Sequence, residues 1–254
     1  MKIRRRYFSD VKGNPQLQKA VSLAVYLKSK LGRSSTITNY TPNKVRTMTG
    51  VCQKTFLRYL PLMVEMELVS FAGRHNEHLV INRLSSKTKM RNIDVAKFCY
   101  KSFTEVYRSL RAFIVLLIQS RKDYIKRTLQ AAHDPKHSDD CKAARREVKR
   151  LVRNGTLKDV NEKYNEYGTS YKRMAKETGN CERTAENIIK YAIKKRWVKK
   201  TVNIIQTFMR GVMFTDVPGY DFTTKNNGYE LKANTYRLMP SIARSLTNNC
   251  AGSY

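Results

Sequence analysis

Two stretches of this chain, about 130 residues apart, spell the same short pattern. One runs from Thr41 to Leu60, the other from Ser170 to Ile189. In each, a hydroxyl-bearing residue opens a short helix, a Thr-Gly pair (Thr49-Gly50, Thr178-Gly179) closes it, and a second helix begins Cys-x-x-Thr (Cys52 to Thr55, Cys181 to Thr184). The hydroxyl accepts hydrogen bonds from first-turn amides, and glycine supplies a sharp turn that a side chain would obstruct. Apolar residues then recur at helical spacing, so one face of each second helix is meant for a core and the other is left outside.

That order reads as a helix-turn-helix, present twice. Formal charge indicates what such units meet. Fifty Lys and Arg stand against 20 Asp and Glu, a net charge of +30, spread over both motif regions and the segment between them. The last 54 residues are nearly balanced. A surface this basic attracts a phosphate backbone, and the expected partner is double-stranded DNA. A-form RNA grooves admit a helix poorly. A ribosome-type or membrane-surface protein is the alternative on charge alone, but a hydrophobic fraction of 41% supports packed cores and excludes a disordered basic tail.

In the first region, Gln16 to Leu31 carries apolar residues at helical spacing and ends at Gly32. Thr41-Pro42 starts a second helix that runs to about Thr49. A third begins near Cys52 with Phe56, Tyr59, Leu60 and Met63 facing inward. Pro61 predicts an end or a bend at Leu60, because it removes an internal hydrogen bond. Two apolar runs then flank Gly73 to Glu77 as a β-hairpin. Three helices followed by a hairpin resemble the winged helix-turn-helix family of DNA-binding proteins. The resemblance implies that Gln53, Lys54, Leu57 and Arg58 face the major groove and that Arg74 and His75 sit on the wing.

From Asp94 to about Ala132, helical periodicity is strong, with Cys99, Phe103, Val106, Leu110, Phe113, Leu117, Ser120 and Tyr124 stepping by four and three. Such a helix joins two domains, pairs two subunits into a homodimer, or packs on the first unit's helices. An exposed loop follows to Asp140. A helix from Asp139 to Arg153 comes next, its outer face carrying Arg145, Arg146 and Lys149.

The second unit is expected to have a short helix from Leu157 to Tyr167, then a helix capped by Thr169 or Ser170, then one from Cys181 to Lys195. On this last helix Ala185, Ile188, Ile189 and Ala192 face inward, and Glu182, Arg183, Glu186, Asn187 and Lys190 face out. Arg and Asn are shaped for bidentate contacts with guanine and adenine. Trp197 to Ile205 alternates like a strand, bearing Lys199 and Lys200, and Tyr229 to Leu238 is its return. Met209 to Asn227 would be an insertion in that wing. The ending Ala233-Asn-Thr-Tyr-Arg-Leu238 resembles wing strands of phage and plasmid initiator-like proteins.

Nothing rises to catalysis. His133, His137 and Cys141 are interrupted by Pro135 and lack a fourth zinc ligand. Asp134, Asp139 and Asp140 lie in a polar loop, where a metal-dependent nuclease needs rigid carboxylates. There is no phosphate-cradling Gly-x-x-x-x-Gly-Lys loop and no His-Glu-x-x-His helix. Five scattered cysteines without a Cys-x-x-Cys pair suit reduced thiols. No signal segment is apparent, and Ala112 to Ile118 is too short to cross a membrane, so the expected setting is the cytoplasm, at the nucleoid.

The sequence thus predicts a mainly α protein with small β-hairpins as wings: two winged-helix domains (1–86 and 139–254) joined by a helical connector (87–138). The expected role is sequence-specific DNA binding without cofactor, metal or enzyme activity, as a transcriptional regulator of a phage or mobile element. Replication initiation at origin repeats and non-specific genome coating are the alternatives, and the replication or transcription machinery would be the protein partner.

Overall fold

The computed structural model describes residues 1–32, 34–87, 92–133, 139–155, 170–206 and 229–239. The described chain is mainly helical, with three small antiparallel sheets. Strand β1 (Lys2–Arg4) and helix α1 (Arg6–Ser9) come first. Helix α2 (Pro15–Leu31) starts where the Asn14 side chain accepts from the amides of Gln16 and Leu17. Every residue from Ala20 to Leu27 is buried, because α2 is covered by helices on more than one side.

Strand β2 (Thr36–Ile37) leads to α3 (Pro42–Thr49), capped by the Thr41 hydroxyl on the Lys44 amide at 3.1 Å. Helix α4 (Gln53–Glu65) follows, with Phe56, Tyr59 and Met63 buried. Contrary to the expected break at Leu60, α4 runs unbroken through Pro61. Pro61 lies on the exposed side, where water can satisfy the Leu57 carbonyl that the missing amide leaves free. Strands β3 (Val69–Ala72) and β4 (His78–Ile81) form the expected hairpin. The sheet has a third member, since β2 pairs with β4 to give the order β2-β4-β3. Two residues are too few for a periodic signal, so β2 is invisible in sequence.

The helix expected from Asp94 begins nine residues later. Asn92–Asp94 is instead strand β5, paired antiparallel with β1, and Ser102 caps α5 (Phe103–Ala132) through the Glu105 amide at 3.2 Å. Cys99, counted in the apolar seam, is outside the helix, where its amide donates to Ser109 Oγ. The remaining seam turns into the chain's own core: Val106, Leu110 and Phe113 are fully buried. Phe113 meets Phe98 and Trp197 edge to face, with ring centroids 4.8 and 5.1 Å apart. Of the uses the sequence left open, the structure realises intramolecular packing. One continuous hydrophobic core holds residues from Ile3 to Leu116 together with Met174 to Val198 and Tyr236. The segments 1–86, 87–138 and 139–254 all contribute to it except the Asp139–Arg153 helix.

That helix, α6 (Asp139–Arg153), folds back along the C-terminal half of α5. It forms a separate cluster of Ile125, Leu129, Ala132, Ala144, Val148 and Leu151. Helices α7 (Tyr171–Thr178) and α8 (Glu182–Lys194) pack on the N-terminal half of α5. Strands β6 (Val198–Gln206) and β7 (Tyr229–Leu238) then pair antiparallel, the return strand falling where the sequence placed it. The Leu157 to Tyr167 helix, the Met209 to Asn227 insertion, His137 and Cys250 lie outside the described residues.

The two motifs correspond at a constant offset of 129 residues. Thr41 and Ser170 are matching caps. Buried Thr49 and Thr178 each donate to the carbonyl four residues back, Val45 at 2.7 Å and Met174 at 2.6 Å. Gly50 and Gly179 both take left-handed backbone, with φ of 71° and 63°. Beyond α4 and α8, Glu67 and Arg196 share a positive φ of 54° and 55°. Leu68 and Trp197 then close on the carbonyls of Met63 and Ala192. From cap to strand the backbone is repeated without an insertion, around helix α2 in the first case and α5 in the second.

Candidate nucleic-acid interface

Each motif turns one helix face to solvent, because the opposite face is anchored. On α4 the anchors are Phe56, Tyr59 and Met63; on α8 they are Ala185, Ile188, Ile189 and Ala192. Gln53, Lys54, Leu57 and Arg58 are exposed and together line one shallow groove on α4. The Arg58 guanidinium lies 5.8 Å from the ring centroid of its neighbour Tyr59. Leu57 is 45% exposed, which places an aliphatic group among donors, as contact with a thymine methyl would require.

The hairpin tip carries Arg74 and His75, both exposed. It is rigidified by Glu77, whose carboxylate accepts from the His75 amide at 2.8 Å and whose carbonyl accepts from the Tyr40 amide. Backbone amides, its own first and then that of His75, hold the Glu77 carboxyl below the usual range. The tip therefore presents a cation and a fixed anion side by side.

On α8, Glu182, Arg183, Asn187 and Lys190 are exposed and Glu186 is partly so. Glu186 and Lys190 spend their charges on each other at 2.8 Å, one turn apart. The hydrogen bond and charge of Lys190 hold the Glu186 carboxyl low, and Glu186 in turn raises Lys190. Arg183 and Asn187 are left as the outward groups able to fork onto a base edge. At the 129-residue offset Gln53 matches Glu182, Lys54 matches Arg183, Leu57 matches Glu186 and Arg58 matches Asn187. The same surface is built twice with unlike chemistry. Lys199 and Lys200 are exposed at the start of β6, opposite Arg237 and Tyr236 across the ladder.

Arg145, Arg146 and Lys149 are also exposed, but the structure does not join them to α8. They ride on α6, on the far half of α5, and a 30-residue helix is about 45 Å long. Arg145 has a local duty as well, donating from Nε to the Ala132 carbonyl at 3.0 Å and so closing the end of α5. Two arginines that the apolar spacing does not single out, Arg108 and Arg111, sit on α5 directly beside α8. Sequence periodicity marks them only as lying off the seam; that α8 is their neighbour is a long-range fact.

Cys52 and Cys181 are the N-terminal caps of α4 and α8 and are exposed. The Lys54 and Thr55 amides lower the Cys52 thiol, and the Thr184 hydroxyl and then its amide lower Cys181. Cys141 is buried against the Ala132 carbonyl and His133 is exposed. Among the described residues no cluster of three metal-binding side chains occurs, and no helix is long and apolar enough to cross a membrane. In comparisons with protein-family models, with curated proteins and with solved structures, no match to this chain was found.

Proposed function

We propose that this chain is a sequence-specific double-stranded DNA-binding protein built on two winged-helix units, and that it acts as a transcriptional regulator. The observation that supports this reading most is the repeated motif. Two helices in matching settings, α4 and α8, each offer a polar, partly basic face to solvent while their other face is anchored in a common core. In the first unit the order α2-β2-α3-α4-β3-β4, with sheet order β2-β4-β3, supports the winged-helix reading. Phosphate contacts would supply most of the affinity, given the net charge of +30. Base contacts from Gln53, Lys54, Arg58, Arg183 and Asn187 would supply the preference.

Because the outward residues of α4 and α8 differ position by position, the two units read different bases. The site should be composite and asymmetric, not palindromic. Selection of bound duplexes from a random library, at about physiological salt where bare charge is screened, tests this. Recovery of a motif with two unlike halves near promoters is the expected result. Recovery of iterated copies at a replication origin would replace regulation by initiation. A library recovered without enrichment, with binding that collapses as salt rises, would overturn sequence-specific recognition.

A further inference from the structure

Between α5 and α8 lies a cleft of about 350 Å³ lined by Arg108, Arg111, Thr184, Asn187, Ile188 and Tyr191. Its floor is fixed. The Tyr191 hydroxyl sits 3.0 Å from Ser109 Oγ and 3.3 Å from the Glu105 carboxylate. Burial raises the Tyr191 phenol above its ordinary value. Arg111 is clamped from two sides, donating from Nη2 to Asn180 Oδ1 at 2.8 Å and lying 5.1 Å from the Tyr107 ring centroid. Its Nε is shut from water and has no acceptor among the described residues. An orphaned donor on a charged group is costly, so the Arg111 charge is incompletely compensated by the protein around it. Arg108 lies one helical turn away and is 58% exposed. It pairs with the Glu105 carboxylate at 2.8 Å, one acid against the two arginines of the lining, so the cleft keeps a positive excess. Thr184 and Asn187 add a hydroxyl and an amide, the neutral donors that accompany arginine around phosphate oxygens.

We infer that this cleft is a phosphate-binding site, gripped by Arg108 and Arg111 and bordered by Asn187. The inference rests on the DNA-binding reading for its source of phosphate. Asn187 belongs both to the cleft and to the outward face of α8, so a duplex lying along α8 carries its sugar-phosphate backbone over the cleft mouth. Helix α5 is then part of the interface as well as the spine of the core. A free phosphate-bearing small molecule would satisfy the same chemistry, and the test separates the two.

The full-length chain is titrated with a mixed-sequence duplex of about 30 base pairs, three helical turns, over a series of salt concentrations, and separately with inorganic phosphate followed by calorimetry. Arg108→Gln removes only a surface ion pair and keeps the fold. Arg108→Gln combined with Arg111→Gln empties the grip, with circular dichroism checking that the helices remain. The single variant is expected to weaken duplex binding about threefold and the double variant about tenfold or more. The salt slope should become shallower by about 0.9 for each phosphate that is no longer neutralised. Saturable phosphate binding that the single variant weakens would keep the site and assign it to a free anion. Unchanged duplex affinity and slope in the single variant, with no phosphate binding in the parent, would overturn the site. If the parent binds no duplex at all, the DNA reading fails by itself, and the phosphate arm alone decides the cleft.

Discussion

The backbone of Gly179, at the turn of the second motif, is pressed against the backbone of Gly13 in the loop before α2; a Cβ on Gly179 would stand 2.5 Å from the Gly13 Cα. Gly50, its counterpart in the first motif, has the same left-handed backbone, but a Cβ there would meet nothing within 4 Å. One turn is free and the other is a joint between the two halves of the molecule. The pair therefore separates conformational cost from packing cost. Gly50→Ala should lose about 1–2 kcal/mol, the cost of left-handed backbone for a side-chain-bearing residue. Gly179→Ala carries the same cost and adds about 1–3 kcal/mol of overpacking. Urea melts of the two variants check this; equal losses would show that the approach to Gly13 bears no strain.

Pro61 sits in the ninth position of a 13-residue helix and leaves the Leu57 carbonyl without its helical amide. Proline costs about 3 kcal/mol in a helix interior, offset in part by a stiffer unfolded chain. Pro61→Ala should raise stability by about 1–2 kcal/mol, seen as a higher Tm. An unchanged or lower Tm would mean that the α4 backbone is shaped around the proline.

Glu147 joins α6 to α5. Its carboxylate takes a fork from Arg150, at 2.5 and 2.6 Å, and accepts from the Tyr124 hydroxyl at 2.9 Å. These bonds, Arg150 first, hold the carboxyl below its ordinary value although burial opposes them. A depressed carboxylate stabilises the fold above the unfolded value of about 4.3, and that contribution fades as pH falls through the lower folded value. Glu147→Gln should therefore lower Tm at pH 7, with the gap to the parent narrowing as pH drops below about 4. A gap that is constant with pH would assign the loss to packing instead of charge.

On the proposed DNA-binding function, residues assigned to bases and residues assigned to phosphates should respond differently to substitution. Arg58→Ala is expected to cost about 1–3 kcal/mol on the selected site and to relax preference at one base pair. Lys199→Ala and Lys200→Ala should weaken all duplexes alike and flatten the salt slope. Competition assays between selected and scrambled duplexes distinguish the two behaviours. A uniform loss from Arg58→Ala would move that residue from reading bases to holding phosphate.

Local signals carried much of this structure. The cap Thr41, a second cap at Thr169 or Ser170 that the structure resolves as Ser170, the turn glycines, the helices from Pro42 and from about Cys181 and the hairpin around Gly73 to Glu77 were legible, because each depends on residues a few positions apart. Strand β6 could be read from its alternation, and β7 as the best candidate for its return. The start of α5 was obscured by apolar spacing that continues smoothly through Cys99, although Ser102-Phe-Thr-Glu105 carries a local capping signal. The pairing of Asn92–Asp94 with Lys2–Arg4, some 90 residues distant in sequence, is the part that no local signal carries.

The sequence by itself therefore determined that two equivalent turn-linked helix pairs exist, where each begins and which face of α4 and α8 turns outward. Capping, left-handed glycine and 3.6-residue spacing are written into contiguous residues. Only the tertiary structure decided what those pairs are built around. It made the supposed connector the central core helix, with Phe113 between Phe98 and Trp197, sent basic α6 to the far end of α5, and brought Arg108 and Arg111 beside Asn187. An apolar stripe specifies that a helix will be covered but not by which partner. That choice falls to the arrangement that buries the most surface across the whole chain.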